Sequence, residues 1–423
     1  MGKKDIPRIL RNVLTKRFRG EHFIVLDIGT FNVRGLYVAG EEVVAFTNKQ
    51  YTNGSMNKDG GINERGIIDT CRSVLKELRE STARVGRFTN KVVLGLGGGF
   101  VYGKTLTQSY IRDYPSEELT EGEFGNIVQK VQQRNYEQIR RDFNQETGRS
   151  ELDVYLIGGA LQDIKIDGYQ VVNPIGFKGK EVSCGLFNYY IPRTYLEVFK
   201  GIIGSMNLEL VALVSEPYAV FKSFYAKNDS ATDFILIDMG GSTTEISLAR
   251  KGRLDDIRSI AVGGSSFTRS ISENLKINIS EAENIKKRFT EEKVSKSAAK
   301  KIEGIIMDDV KLFLRGLEMV LLELSQRTLL PSDIHIYGGG SMMPMVARAL
   351  RQRKWRDSLS FSAKPIVSNL TPSQIDYLQD SPQDNVLWTV PFSIANAHIE
   401  ENENSDELIK LVKRSLRLIQ GNI

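Results

Sequence analysis

Two apolar runs, each closed by an acid and a glycine turn, dominate the pattern of this chain. In Phe234-Ile-Leu-Ile-Asp-Met-Gly-Gly-Ser-Thr-Thr-Glu-Ile-Ser-Leu248 the run ends at Asp238, turns at Gly240 and Gly241, and resumes as an alternation through Ile246 and Leu248. That predicts a buried strand, a tight turn and a return strand with one face in a core. Phe23 to Val38 repeats the design, with Asp27 over Asp238 and Gly29 over Gly240, 211 residues earlier. One such unit is an ordinary hairpin as readily as a phosphate turn. Two of them, each heading an α/β-patterned half, predict hairpins that face each other across a cleft.

The rest of the chain falls around these units. Residues 5–19 place Ile6, Ile9, Leu10, Val13 and Leu14 at helical spacing behind Pro7, a basic amphipathic helix for a membrane, a partner or the protein's own surface. Helical spacing returns at 62–86, strand patterns at 91–114 around a Gly97–Gly99 break, and a long polar helix at 117–146. Strands follow at 152–172 and 181–191, so that a strand-helix-strand-strand block is inserted in the first half. The Gly97–Gly99 run lacks the Lys-Ser/Thr of a phosphate loop and reads as flexible backbone. A helix at 193–204 and a strand at Leu208 to Val214 lead to Ser215-Glu-Pro, a helix start with Ser215 as cap. Beyond the second hairpin, helices are expected at 265–276, from Ser280 with Glu283 completing a capping box, and at 305–325. Ile334 to Leu350 reads as strand, triple-glycine turn and helix.

Composition narrows the class. A chain of 423 residues with 41% hydrophobic and 26% charged residues has core enough for two lobes. Two cysteines and three histidines leave no disulfide framework and no multi-histidine metal site, which fits a reducing cytoplasm. Residues 1–20 carry seven basic residues against Asp5, a local +6, so the other 403 sum to −1 and no nucleic-acid surface is indicated.

Candidate chemistry gathers at the turns. A carboxylate at a phosphate turn calls for a cation between them, so Asp27 and Asp238 are candidate holders of Mg²⁺. Glu216, in the first turn of a helix aimed at the cleft, either orients a water or complements the helix dipole. Glu283 and Lys286, three apart on one helix face, form a surface ion pair or grip a ribose. Gly338, Gly339 and Gly340 with Ser341 let backbone approach a flat base.

In this order the motifs Asp-x-Gly-Thr, Glu-Pro, Asp-x-Gly-Gly-x-Thr, Gly-Gly, Glu-x-x-Lys and Gly-Gly-Gly-Ser resemble the actin-like ATPase superfamily over residues 23–398. Within it the chain resembles the FtsA family of bacterial cell-division proteins, through the position of its insert and the Ala282 to Phe289 helix. The resemblance implies an α/β, actin-like two-lobed fold of duplicated ribonuclease-H-like domains. The first lobe would take 21–90, 181–229 and a returning 380–399, the insert 90–180, and the second lobe 230–379. It further implies ATP or ADP with Mg²⁺ held through water by Asp27 and Asp238. Gly29, Thr30, Phe31 and Asn32 and Gly240, Gly241, Ser242 and Thr243 would wrap the phosphates. Gly263 and Gly264 would approach sugar and phosphate, Glu283 and Lys286 the ribose, Gly338 to Ser341 the adenine, and Glu216 the attacking water. Asn32 stands where many relatives carry a phosphate-binding lysine, so the expected activity is a slow ATPase at most.

The last segment adds a membrane expectation. Residues 400–406 read as an acidic linker, and 407–423 as an amphipathic helix. At about 100° per residue, Leu408, Ile409, Leu411, Val412, Leu416, Leu418 and Ile419 share one half of the wheel and Lys410, Lys413, Arg414 and Arg417 the other. The family resemblance implies a filament of this chain on the cytoplasmic face of the bacterial membrane at the division site, held peripherally by an anionic surface. There it would tether FtsZ through that protein's C-terminal peptide and meet other division proteins. The alternatives are a PilM-like platform of type IV pilus assembly, a sugar kinase lacking a convincing catalytic Asp here, and a scaffold indifferent to nucleotide.

Overall fold

The computed structural model describes residues 20–51, 62–83, 88–148, 150, 153–228, 233–325, 328–375, 384–403 and 407–420. The helix expected at 5–19 lies outside them.

The first half runs β1 (His22–Ile28), β2 (Asn32–Ala39), β3 (Glu42–Gln50), α1 (Glu64–Ser81), β4 (Lys91–Leu96), β5 (Tyr102–Ile111) and α2 (Glu121–Thr147). It continues through β6 (Val154–Ile166), β7 (Tyr169–Gln170), β8 (Glu181–Pro192), α3 (Arg193–Gly204), β9 (Glu209–Ser215) and α4 (Glu216–Lys227). The second half runs β10 (Phe234–Met239), β11 (Thr244–Arg250), β12 (Arg253–Ile260), α5 (Gly264–Leu275), α6 (Ile279–Thr290) and α7 (Lys296–Ser325). It closes with β13 (Asp333–Tyr337), α8 (Pro344–Leu350), β14 (Ile366–Asn369), α9 (Thr389–Glu403) and α10 (Glu407–Gln420).

The two halves are built alike. One sheet has the order β3-β2-β1-β4-β9, and the second contains β12-β11-β10-β13-β14. In both, the first three strands form an antiparallel meander and the last two add in parallel. The β1 run Phe23–Leu26 and the β10 run Phe234–Ile237 are buried throughout, as short apolar runs at a sheet centre must be. Helix α9 returns to the first sheet, with Phe392, Ile394 and Ala395 in its core. Helix α7 covers the second sheet with the stripe Ile302, Ile306, Val310, Phe313, Leu317, Leu321 and Leu324.

Strand pairing moves several expected borders. The expected insert began at residue 90, but β4 lies in the first sheet, parallel to β1 and β9. The first lobe was expected to resume at 181, yet β8 pairs along its length with β5 and β6. The insert therefore comprises β5, α2, β6, β7 and β8. Its sheet continues the second-lobe sheet, because β5 pairs with β12 at Gly103–Ile257 and Lys104–Asp256. Helix α2 starts at Glu121, where the Thr120 hydroxyl accepts from the Glu123 N–H; the predicted start at 117 fails because Leu119 N–H is taken by Phe177. The capping box of α6 is Asn278 with Glu281, not Ser280 with Glu283, since Glu283 turns inward. Helix α7 begins at Lys296 instead of 305, its polar first turn having masked the period. Residues 400–403 of the expected linker are helical, with Glu400 paired to Lys222 and Glu401 to Lys413; 404–406 lie outside the described residues.

Candidate functional site

The two hairpin turns border a cavity of about 510 Å³, a volume that suits a small-molecule ligand. Asp27, Gly29 to Asn32, Glu216, Asp238, Gly240 to Thr243, Gly264, Glu283, Lys286 and Gly338 to Gly340 all line it. The structure thus brings together nearly every residue that the motifs singled out. Gly263 and Ser341 stand just behind the wall. Gly264 N–H donates to Gly240 O at 2.9 Å and Ser265 Oγ to Gly241 O at 2.6 Å, so the start of α5 holds the second turn. The buried Ser341 hydroxyl donates to Gly338 O at 2.7 Å and braces the triple-glycine turn.

Three carboxylates meet at one point. Asp238 and Glu245 face each other across the β10–β11 pair, and Glu216 arrives from the first turn of α4. An oxygen of each lies within 4.8 Å of the others, and all three residues are buried. Glu245 Oε2 accepts from Gly98 N–H at 3.0 Å, while its buried Oε1 has no hydrogen-bond partner among the described residues. Burial, reinforced by the carboxylates of Asp27, Glu245 and Asp238, pushes Glu216 well above the usual range, against Arg34. Burial and then Glu245 do the same to Asp238. Burial raises Glu245 to about 7, opposed by the N–H groups of Gly98 and Gly99. A set of buried, hard oxygen donors with one oxygen unpartnered fits a divalent cation such as Mg²⁺. Gly97 makes room for the set: a Cβ there would meet Glu216 Oε2 at 2.4 Å and Glu245 Oε2 at 2.8 Å.

Asp27 lines the same cavity but is already paired. Arg34, opposite it on β2, brings Nε to 3.1 Å from Oδ2 and Nη2 to 3.5 Å from Oδ1. Its Nη1 donates to Leu387 O at 2.6 Å. Burial raises the Asp27 pKa and the Arg34 charge opposes the rise. Asn32, which replaces a lysine expected beside the phosphates, donates to Asn48 Oδ1 at 2.9 Å, and the positive side chains that line the cleft are Arg34, Lys286 and Lys287.

The far end of the cavity is a buried polar hub. Lys286 Nζ lies 2.7 Å from Glu283 Oε2 and donates to Thr268 Oγ1 at 2.8 Å and Gly264 O at 3.0 Å. Thr268 in turn donates to Glu283 at 2.6 Å. A solvated surface pair is therefore excluded. Burial lowers the Lys286 pKa and Glu283 opposes it. The Lys286 ammonium also sits 5.4 Å from the centre of the Phe31 ring, a contact from the second lobe to the first turn.

Sequence reading missed Arg34, Glu245 and the lining role of Gly97–Gly99. In a period-two strand Glu245 falls on the face opposite Ile246 and Leu248, which reads as solvent; here that face meets the cleft. The seven-residue spacing from each Asp to its cross-strand partner was the available signal.

The tail helix is placed differently from its expected role. Val412 is 2% exposed, and Leu408, Leu411 and Leu416 pack against the insert core of Phe124, Ile127, Val128 and Val131. Ile409 and Ile419 are half-buried, Leu418 is exposed, Lys413 is paired with Glu401, and Lys410, Arg414 and Arg417 face outward. Among the described residues no helix is long and apolar enough to cross a membrane.

A family model described as "Cell division protein FtsA" matches residues 235–382. The chain is 23% identical over 352 residues to the Cell division protein FtsA of Enterococcus faecalis, covering 76% of this chain and 74% of that protein. It is 24% identical to the Bacillus subtilis protein of the same name, spanning 64% of this chain and 58% of that one. Among solved structures, a PilM–PilN type IV pilus biogenesis complex superposes with a TM-score of 0.61 at 16% identity, covering 89% of this chain and 98% of that chain.

Proposed function

We propose that this chain, which is similar to FtsA cell-division proteins and has an actin-like two-lobed fold, binds ATP or ADP in the hairpin cleft. The observation that carries this reading is the convergence of both Asp-Gly turns, the Glu216–Asp238–Glu245 set and the Glu283–Lys286 hub on one cavity. The turns would supply N–H groups to the phosphates, the hub would meet the ribose, and Gly338 to Gly340 would lie under the base. Mg²⁺, held by Asp238, Glu216 and Glu245, would neutralise charge on the β and γ phosphates.

Turnover is expected to be slow. Burial shifts the Glu216 carboxyl well above its usual range, which disfavours the charged form that would accept a water proton. The guanidinium of Arg34 is occupied by Asp27 and Leu387 O. Bound nucleotide then acts as an assembly signal for a filament of this chain on an anionic membrane surface, where the filament tethers the FtsZ ring through its C-terminal peptide. Four basic residues of α10 contribute up to about 4 kcal/mol to lipid binding, and a filament multiplies them. The reading is tested by isothermal titration of ATP with and without Mg²⁺, followed by sedimentation with anionic vesicles. Absence of nucleotide binding in both titrations removes it.

A second reading takes its support from the docked α10: a PilM-like platform that recognises a peptide and uses no tail anchor. Vesicle sedimentation of the whole chain, compared with the chain ending at 406, separates the two.

A further inference from the structure

The apolar face of α10 cannot face lipid and the insert at once. Val412 is buried, and Leu408, Leu411 and Leu416 extend the core formed by α2 with β6 and β8. The charged side behaves differently, with Lys410, Arg414 and Arg417 already in solvent. The groove that receives the helix carries its own adaptation. Gly125 on α2 lies directly beneath Leu411, and among the described residues the one atom that a Cβ at Gly125 would meet within 4 Å is Leu411 Cδ2, at 3.1 Å. A glycine inside a helix costs roughly 1 kcal/mol relative to alanine, and here the space it frees is used by the tail helix.

We propose that the face of the insert built from α2 and β6 is a receptor groove for α10, in competition with lipid: the docked helix is withheld from the membrane, and a membrane-bound helix leaves the groove open. The occupant is the tail of the same chain, joined to α9 by residues 404–406. The exchange rests on the reading that α10 binds lipid. The apparent lipid affinity is then the intrinsic affinity scaled by the undocked fraction, so emptying a groove that is nine-tenths filled tightens binding about tenfold.

Gly125→Leu tests this without altering the tail. It fills the space beneath Leu411 with a side chain that favours the helix, and Gly125→Ala gives a milder version should the larger residue perturb the insert. Hydrogen exchange of the 408–420 amides is followed in the full chain without lipid, and co-sedimentation is measured with phosphatidylglycerol vesicles. The expected result is slow exchange in the parent, at least about tenfold faster exchange in Gly125→Leu, an intermediate rate in Gly125→Ala, and about tenfold tighter vesicle binding in Gly125→Leu. Equally fast tail exchange in parent and variants would overturn the groove. Faster exchange in the variants with vesicle binding equal to the parent's would overturn the competition while leaving the lipid reading of α10 intact. Binding in none of the proteins would remove the lipid reading itself, and the competition with it.

Discussion

The two hairpins share a backbone plan but not an electrostatic one. Each places an aspartate at the end of a central strand, and each places a second charged residue seven positions later, directly across the antiparallel pair. In the first hairpin that residue is Arg34, and Asp27 is neutralised by a guanidinium fork. In the second it is Glu245, and Asp238 faces a like charge in a buried site. Burial penalises both aspartates and Arg34 opposes it at both, but Asp27 has the guanidinium as its direct partner while Asp238 has the added repulsion of Glu245. A duplicated fold has thus divided its labour: one jaw is closed by its own ion pair, and the other gathers three buried carboxylates that, on the proposed function, would take a cation.

Removing Arg34 should have the largest effect. Arg34→Ala leaves Asp27 buried beside Glu216 with no counter-charge, and a loss of about 3–5 kcal/mol in urea unfolding is expected. Asp27→Asn in the same chain should recover most of it; failure to recover would mean that Arg34 acts through packing alone.

Glu245 should show the opposite sign. Its folded pKa of about 7 lies above the ordinary 4.5, so between those values the folded state keeps a proton that the unfolded state has released. Stability of the nucleotide-free protein therefore falls as pH rises through that window. Glu245→Gln should flatten the dependence and add up to about 3 kcal/mol at pH 8, measured by thermal melts from pH 5 to 8. Parallel curves for parent and variant would assign the slope to other groups.

Ligand binding separates the jaws next. Asp238→Ala should weaken Mg²⁺-dependent ATP binding about 10–100-fold in isothermal titration, with the difference shrinking in excess chelator. Equal nucleotide content in parent and variant would argue against the cation site. The smallest change is Asn32→Lys, which adds a cation at the wet rim of the first turn. About 1 kcal/mol of tighter ATP binding is expected, and less at high salt.

Much of the molecule is legible before folding because it depends on local pattern. The apolar run, acid and glycine turn at Asp27 and again at Asp238 specify two hairpins, since strand burial and tight reversal are short-range demands. The pairing of Glu283 with Lys286 and the triple glycine at Gly338 were visible for the same reason. What escaped was whatever depended on the other partner. Glu245 lies on the polar side of its strand, and whether that side meets water or a second lobe is not written in the strand. Period-two patterning likewise hides that β8 belongs to the insert, because register and pairing are properties of two segments.

The tail carries the same lesson furthest. The sequence by itself determined a helix with seven apolar residues opposite four basic ones. It could not choose between lipid and the groove of α2 and β6, because both present an apolar surface and the hydrophobic effect does not distinguish them. Only the tertiary structure, by placing Gly125 beneath Leu411 and Val412 within a closed core, decided which surface covers that face in the free protein. The divergence of the two aspartates has the same origin: matching Asp-x-Gly turns acquired different electrostatic partners because folding set Arg34 against one and Glu245 against the other.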